Sequence, residues 1–306
     1  MTSSDARLCE RVTRRHARTF ALASYFLPAP KRRAAFAIYA FCRQADDIVD
    51  SLGPGDITSG AEGAELAVYR QRLDRALHGE PDDAVFRELA WVVNEFHLPT
   101  AVLHELVNGV ARDLHHETYR SWGELERYCY GVASTVGVMC TYIFGVIPGP
   151  TRDSVLRRAE TLGVAMQLTN ILRDVGEDAM RARCYLPLDD LTQFGIAPGE
   201  IAHLTIHATD PRWQALMQFE ISRARGLYAD AHSGIASLHR DSQRCATACA
   251  VGYARILDAI EQIGYNTLSQ RAHVPPRAKA IVLWHAWTRS GPAWLTEQTA
   301  ARSVPA

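Results

Sequence analysis

The 306-residue chain lacks most features that mark a function class at a glance. It has no surplus of charge. The formal net charge is −1, so no basic footprint points to a nucleic-acid partner. It has no CxxC pair, and its seven cysteines are an odd number. Cys245 and Cys249 stand four apart on an expected helix, with no histidine to complete a zinc pattern. The cysteines therefore read as buried, reduced, small apolar residues of a cytoplasmic protein. There is no P-loop and no GxGxxG, so nucleotide binding has no motif. There is no GxSxG for a serine hydrolase. A di-iron helical bundle needs two ExxH motifs, and the chain has one, Glu200-Ile-Ala-His203, in an expected connector. His115-His116 before Glu117 reads as a polar helix end and not as a ligand set. No low-complexity linker, no internal repeat and no convincing strand alternation is visible.

What remains is helical periodicity from end to end. Apolar residues make up 47% of the chain, enough for a substantial core. The pattern predicts helices over 5–23, from Lys31 to Asp50, and over 62–78, 82–96, 99–115, 122–146 and 152–178. Two long helices follow over 211–238 and 242–270, and a last one starts at Pro275-Pro276. Pro28 and Pro30 are expected to end the first region, 51–61 to form a loop, and Asp189 to Pro198 to be a connector. Pro81 is expected at the start of the 82–96 helix. The expectation is one all-α domain over 1–306, with a loose tail from Gly291. Residues 1–20 are charged throughout, which does not fit an export signal. Residues 128–151 carry no charge and approach the length of a membrane span. Gly131, Ser134, Thr135, Gly137 and Thr141 lower the hydrophobicity there, so a buried central helix is expected instead. Those small residues fit two readings: room for a ligand, or close helix packing.

Against this apolar background two acidic stripes stand out. Tyr39, Arg43, Asp46, Asp47 and Asp50 recur at steps of three and four, so they share one face of a helix. Stacked carboxylates near a helix C-terminus repel one another and oppose the macrodipole. Such a face is costly unless cations neutralise it. Gln167, Asn170, Asp174 and Asp178 form a second stripe, at i, i+3, i+7 and i+11, between Leu168, Ile171 and Leu172. Each stripe has an arginine beside it, Arg43 and Arg173. Two acidic helices with arginines suggest metal ions bridging carboxylates to an anionic ligand such as a diphosphate. Magnesium is commonly shared in this way between a few carboxylates and substrate phosphates.

The same residues carry a resemblance. His16-Ala-Arg-Thr19-Phe20, Tyr39-Ala-Phe-Cys-Arg43-Gln-Ala-Asp46-Asp47-Ile-Val-Asp50, Tyr128-Cys-Tyr-Gly-Val-Ala-Ser-Thr-Val-Gly137 and Gln167-Leu-Thr-Asn170-Ile-Leu-Arg173-Asp174-Val-Gly-Glu-Asp178 look like the squalene/phytoene synthase family. Arg183-Cys-Tyr185-Leu-Pro, Tyr253-Ala-Arg-Ile-Leu-Asp258, Tyr265 and Arg271 extend the match to about residues 16–285. The resemblance implies an all-α isoprenoid synthase fold with a central cavity between helices. It implies a prenyltransferase that joins two identical prenyl diphosphates head to head. One substrate ionises to an allylic cation, and the double bond of the other attacks it to give a cyclopropylcarbinyl diphosphate. That intermediate ionises and rearranges. Proton loss gives phytoene-type hydrocarbons, and hydride from NADPH gives squalene.

Residue by residue, the resemblance makes Asp46, Asp47 and Asp50 the first metal motif, and Asn170, Asp174 and Asp178 the second. Magnesium is the implied metal, with manganese as a substitute; NADPH is needed only for a squalene product. Arg43, Gln167, Arg173, Tyr185, Tyr253 and Arg271 match contacts to diphosphate or intermediate. Phe20, with Thr19 before it, and Tyr39 match cavity aromatics whose faces stabilise cations. The dry wall that a carbocation needs is expected from 128–147. A phytoene synthase-like enzyme is preferred, with a farnesyl-using squalene or presqualene diphosphate synthase as the alternative. A same-fold terpene cyclase and a non-catalytic helical partner subunit are disfavoured by the extended motifs and intact aspartates. The partners expected are prenyl diphosphates and, because these are greasy, a membrane surface contacted peripherally.

Overall fold

The computed structural model describes residues 3–50, 61–115 and 118–288. The loop expected at 51–61, the His116–Glu117 pair and the tail from Gly291 fall on residues outside these, apart from Ala61. The elements in order are α1 Ser4–His16, α2 Arg18–Ser24, α3 Ala29–Asp50, α4 Ala61–Leu77, α5 Ala84–Phe96, α6 Thr100–Ala111, α7 Trp122–Cys129, α8 Thr135–Phe144, α9 Arg152–Met180, α10 Leu188–Gln193, α11 Pro198–Ala202, α12 Pro211–Ala236, α13 Arg240–Gln262 and α14 Pro276–Thr288. Among the described residues the only β pairing is a single bridge between Val146 and Leu238. No described helix is long and apolar enough to cross a membrane.

Local chemistry explains most helix ends. Ser3 caps α1 by accepting from the Ala6 amide at 3.0 Å, and Arg14, Arg15 and His16 sit at its negative end. Asp83 caps α5 by accepting from the Phe86 amide at 2.8 Å, so that helix starts three residues after Pro81. Pro30 lies in the first turn of α3, where a missing N–H costs nothing; it opens the helix instead of ending a region. The expected helix over 5–23 is broken at Ala17, whose φ of −133° and ψ of 65° leave the helical region. Alanine gives no sequence warning, and tertiary packing overrides its propensity. The break turns α2 so that Ala17 and Phe20 line the central cavity. The expected connector at 189–198 contains α10 and ends at α11.

Two hydrophobic clusters form the core. One is built mainly on α1–α6, α8 and the first half of α13, with Phe41, Phe86 and Leu103 fully buried. The other is built on α7, α9–α12 and the end of α13, around Trp213, Leu168 and Leu172. Val132, Leu162 and Met166 are only partly buried and pack against both clusters. All three line one cavity. The cavity therefore occupies the seam between the two halves of the core.

The uncharged stretch at 122–146 is not one regular helix. A π turn at Tyr130–Ser134 joins α7 to α8, a feature often found beside functional sites. Its small residues divide between the two expected uses. A β-carbon on Gly131 would come within 2.9 Å of the Gly109 Cα, so Gly131 lets α6 approach. A β-carbon on Gly163 would meet the Ser134 Cα at 2.5 Å, which brings α9 against the same turn. Gly137 touches the Ala159 backbone and, with Thr141, also lines the cavity.

A buried ion cluster ties the second half together. Arg223 on α12 donates to Asp190 at 2.8 Å and to Glu220 at 2.7 Å, and its guanidinium lies 4.6 Å from the Trp122 ring centre. Glu220 is fully buried. Arg223→Ala is expected to destabilise the fold by about 3–5 kcal/mol, because it strands two buried carboxylates. Denaturant unfolding of the variant checks this.

Candidate active site

Two cavities meet at the seam. One is polar, of about 400 Å³, and faces the C-terminal ends of α3 and α9. The other is apolar, of about 270 Å³, and runs back between α3, α8, α9, α12 and α13. Asp46, Val132, Gln167 and Asn170 line both, so the acidic stripes stand at the junction of a charged chamber and a hydrocarbon one.

Asp46 and Asp50 on α3 face Asp174, Glu177 and Asp178 on α9 across the polar cavity. Arg43, Arg173, Arg181, Arg183 and Arg271 share its lining. Arg43 donates to Asp47 one turn on. Arg173 forms a bidentate pair with Asp174 at 2.7 and 2.5 Å, and Arg271 reaches the same carboxylate at 3.0 Å. Arg183, just past α9, donates to Asp50 at 3.4 Å and links the two walls. Gly176 allows Arg271 to approach: its amide donates to the Thr267 carbonyl at 2.9 Å, and a β-carbon there would meet the Leu268 oxygen at 2.2 Å.

Charge in this chamber is only partly compensated. Burial, first, and then the repulsion of Asp50, Asp113 and Asp47 push the Asp46 carboxyl up to about 7 against the pull of Arg43. Asp46 touches cleft solvent, but the protein crowded round it disfavours the ionised form. Burial and Asp174 push Asp178 up to about 7 against Arg183 and Arg181. On the cationic side, Arg43 Nε and Arg183 Nε are buried without a hydrogen-bond partner. Unpartnered carboxylate charge and unpartnered guanidinium donors in one chamber fit a ligand that brings both signs. An anion with divalent cations does so.

The donor set is oxygen only, from Asp46, Asp50, Asn170, Asp174 and Asp178, as a hard cation requires. Among the described residues no three His, Cys, Asp or Glu side chains are gathered closely enough to hold an ion by themselves. Magnesium suits that spacing, since it keeps water and substrate oxygens in its shell.

The apolar cavity is lined by one continuous stripe of α9, from Val155 through Arg158, Ala159, Leu162, Gly163, Met166 and Gln167 to Asn170, about 22 Å at helical rise. Tyr39 and Tyr253 lie toward its polar end. Phe20 packs on Tyr39 with ring centres 5.9 Å apart. Burial raises the Tyr39 hydroxyl well above the usual phenol range and raises the Tyr253 hydroxyl too, so both remain neutral. Cys42, Cys140 and Cys249 also line this cavity, and burial pushes the Cys140 thiol up to about 12. All seven cysteines are free, and five are buried.

Two expected site residues lie off both cavities. Asp47 is 53% exposed and serves as the partner of Arg43. Thr19 faces α13, where its methyl lies 2.9 Å from the point a β-carbon on Gly252 would take. Conversely, Asp113, Glu177 and Arg181 line the polar cavity and were not among the expected site residues. Asp113 follows Leu103, Leu106 and Val110 on the buried stripe of α6, and an acid on that stripe was the available signal. Its oxygens accept from Tyr128 at 2.9 Å and from Tyr185 at 3.0 Å.

Comparison with known proteins places this geometry. The family model described as squalene/phytoene synthase matches residues 13–278. A 15-cis-phytoene synthase of Synechocystis sp. is 39% identical over 291 residues, covering 92% of this chain and 84% of the relative. A chloroplastic phytoene synthase of Solanum lycopersicum is 38% identical, covering 92% and 67%. Among solved structures, a ligand complex of a dehydrosqualene synthase superposes with a TM-score of 0.83 at 29% identity, over 96% of this chain and 97% of that one. A squalene synthase from Alicyclobacillus acidocaldarius gives 0.74 at 30% identity, over 86% and 95%.

Proposed function

The chain belongs to the squalene/phytoene synthase family, and on that premise we propose that it condenses two geranylgeranyl diphosphates head to head, by way of a cyclopropylcarbinyl diphosphate, to phytoene. It is a prenyltransferase with the isoprenoid synthase fold. The observation that carries the reading is the direct opening of the acidic chamber into the long apolar cavity at Asp46, Gln167 and Asn170. A substrate with a charged head and a hydrocarbon tail has that shape.

Asp46, Asp50, Asn170, Asp174 and Asp178 would hold magnesium, with Asp47 supporting through Arg43. Bound there, the metal supplies positive charge to the departing diphosphate. Arg43, Arg173, Arg183 and Arg271 offer guanidinium donors to the same oxygens, where negative charge grows in the transition state. Gln167 and Asn170 mark the boundary at which head gives way to tail. Phe20, Tyr39 and Tyr253 line the tail side, where an allylic cation gains from aromatic rings. Their neutral hydroxyls and the protonated thiols of Cys42 and Cys140 suit a cavity that must not capture a carbocation. The tails and product partition into lipid, so the reading includes peripheral contact with a membrane and no nucleic-acid partner.

The dehydrosqualene and squalene synthase likeness keeps a second reading in view, in which farnesyl diphosphate is the substrate and NADPH is added only for squalene. Product analysis separates the two. Purified protein with magnesium is expected to turn C20 diphosphate into a C40 hydrocarbon without NADPH. A C30 product formed preferentially from C15 diphosphate would favour the second reading.

A further inference from the structure

We propose that Asp113 is a positioning residue that accepts hydrogen bonds from the hydroxyls of Tyr128 and Tyr185, so that both tyrosines present electron-rich oxygens, and no donor, to the reacting chain. The inference rests on the prenyl transfer reading above.

The geometry is a carboxylate under a stack of rings. Asp113 lies on the 3₁₀ turn Arg112–His115 that follows α6. Its Oδ2 accepts from the Tyr128 hydroxyl at 2.9 Å and its Oδ1 from the Tyr185 hydroxyl at 3.0 Å. Tyr128 and Tyr185 stack with ring centres 5.2 Å apart and planes 23° from parallel. Tyr119 closes the stack, at 5.2 Å from Tyr128 and 6.3 Å from Tyr185. Tyr128, Tyr185 and Asp113 line the polar cavity beside Val132, which also lines the apolar one. The three residues come from separate parts of the chain, so the arrangement is tertiary and not a local turn.

A phenol has one proton. Once it is donated in a hydrogen bond to Asp113, that tyrosine has nothing to donate to a diphosphate oxygen. What it offers the cavity is a lone pair, and donation to a carboxylate makes the oxygen and its ring richer in electrons. Such groups attract a carbocation and repel the leaving anion. They keep the diphosphate on the arginine side, at Arg43, Arg173 and Arg271, and favour the cation on the tyrosine side. Of the two contacts expected of Tyr185, to diphosphate or to intermediate, this assigns it the second. Two charge-assisted bonds offset the burial of the Asp113 carboxylate.

The test uses the full-length protein with magnesium and C20 diphosphate. Asp113→Asn replaces one acceptor oxygen by a donor, so one phenol loses its acceptor and its proton is released to the cavity. We expect kcat to fall by about 10- to 100-fold. The KM for prenyl diphosphate should stay unchanged or fall, since a freed phenolic proton reaches the leaving group. The magnesium requirement should not move, and Asp113→Glu should recover part of kcat. Tyr128→Phe and Tyr185→Phe should add little once Asp113 is asparagine, because the residues act as a unit. A raised magnesium requirement or a raised KM in Asp113→Asn would make Asp113 a metal or diphosphate group and overturn the proposal. Fully additive effects of the three substitutions would overturn it as well. The same cycle read by unfolding keeps the two readings apart: wild-type protein that forms no head-to-head product sinks the functional reading, while coupling of Asp113 to the two tyrosines in unfolding still reports the hydrogen-bonded unit. Absence of that coupling counts against the proposal in either case.

Discussion

Asp46→Asn is expected to lower turnover by at least about 10²-fold while leaving the protein as stable as before or more so. Among the described residues Asp46 is the only acid that lines both cavities. Its charge therefore acts where head meets tail. The substitution keeps the shape and removes the charge. Stability moves the other way from activity. Burial and neighbouring carboxylates raise the folded-state value from 3.8 to about 7. A raised acid loses stability as pH rises from its unfolded value through its folded one. Above pH 7 the wild-type fold carries that cost, reduced by the solvent that reaches the carboxylate, and asparagine removes it. Such opposition of stability and activity marks a functional charge and not a structural one. Steady-state turnover and thermal unfolding at pH 8, on one preparation, check both halves. Unchanged turnover would remove Asp46 from the metal site.

Ala246→Phe should act at the opposite end. α8 and α9 run antiparallel along the apolar cavity, with Ser134 against Gly163 and Gly137 against Ala159. Phe144, Val155, Leu238 and Ala246 consequently lie at the end remote from Asn170. A phenyl ring at Ala246 occupies the space of the last part of a long tail. Removal of even a methylene's worth of apolar room changes discrimination by about 10- to 200-fold in kcat/KM. The variant is expected to lose that factor on C20 diphosphate and to keep activity on C15 diphosphate. Equal losses on both substrates would place the tail elsewhere. The α9 stripe that lines the cavity spans about 22 Å at helical rise, and the C20 substrate is preferred here on the phytoene synthase relatives.

The acidic stripes were legible because their meaning depends only on helical period. Asp46, Asp50, Asn170, Asp174 and Asp178 recur at helical steps, and each stripe lies on a helix that is otherwise apolar. The helical class was legible for the same reason. Other features depend on contacts distant in sequence. Ala17 breaks the first helix although alanine favours one, and nothing near it announces the turn that aims Phe20 inward. The π turn at Tyr130–Ser134 looks like ordinary helix in sequence, and close approach to Gly109 and Gly163 accompanies it in the fold. Asp113 was hidden because a lone acid at a helix end usually faces solvent. Only the fold brings Tyr128 and Tyr185 onto it. Asp47 is the residue whose partner the sequence left open. Adjacent residues of a helix project in different directions, and the second of the pair meets Arg43.

The central claim is that two identical substrates are joined and both lose their diphosphates. The most direct measurement is the ratio of inorganic diphosphate released to hydrocarbon formed, with magnesium and C20 diphosphate as the sole substrate. The predicted result is two diphosphates for each C40 hydrocarbon, with neither formed when EDTA removes the metal. One diphosphate for each C20 product would identify a cyclase or hydrolase working on single substrates, and would contradict the account.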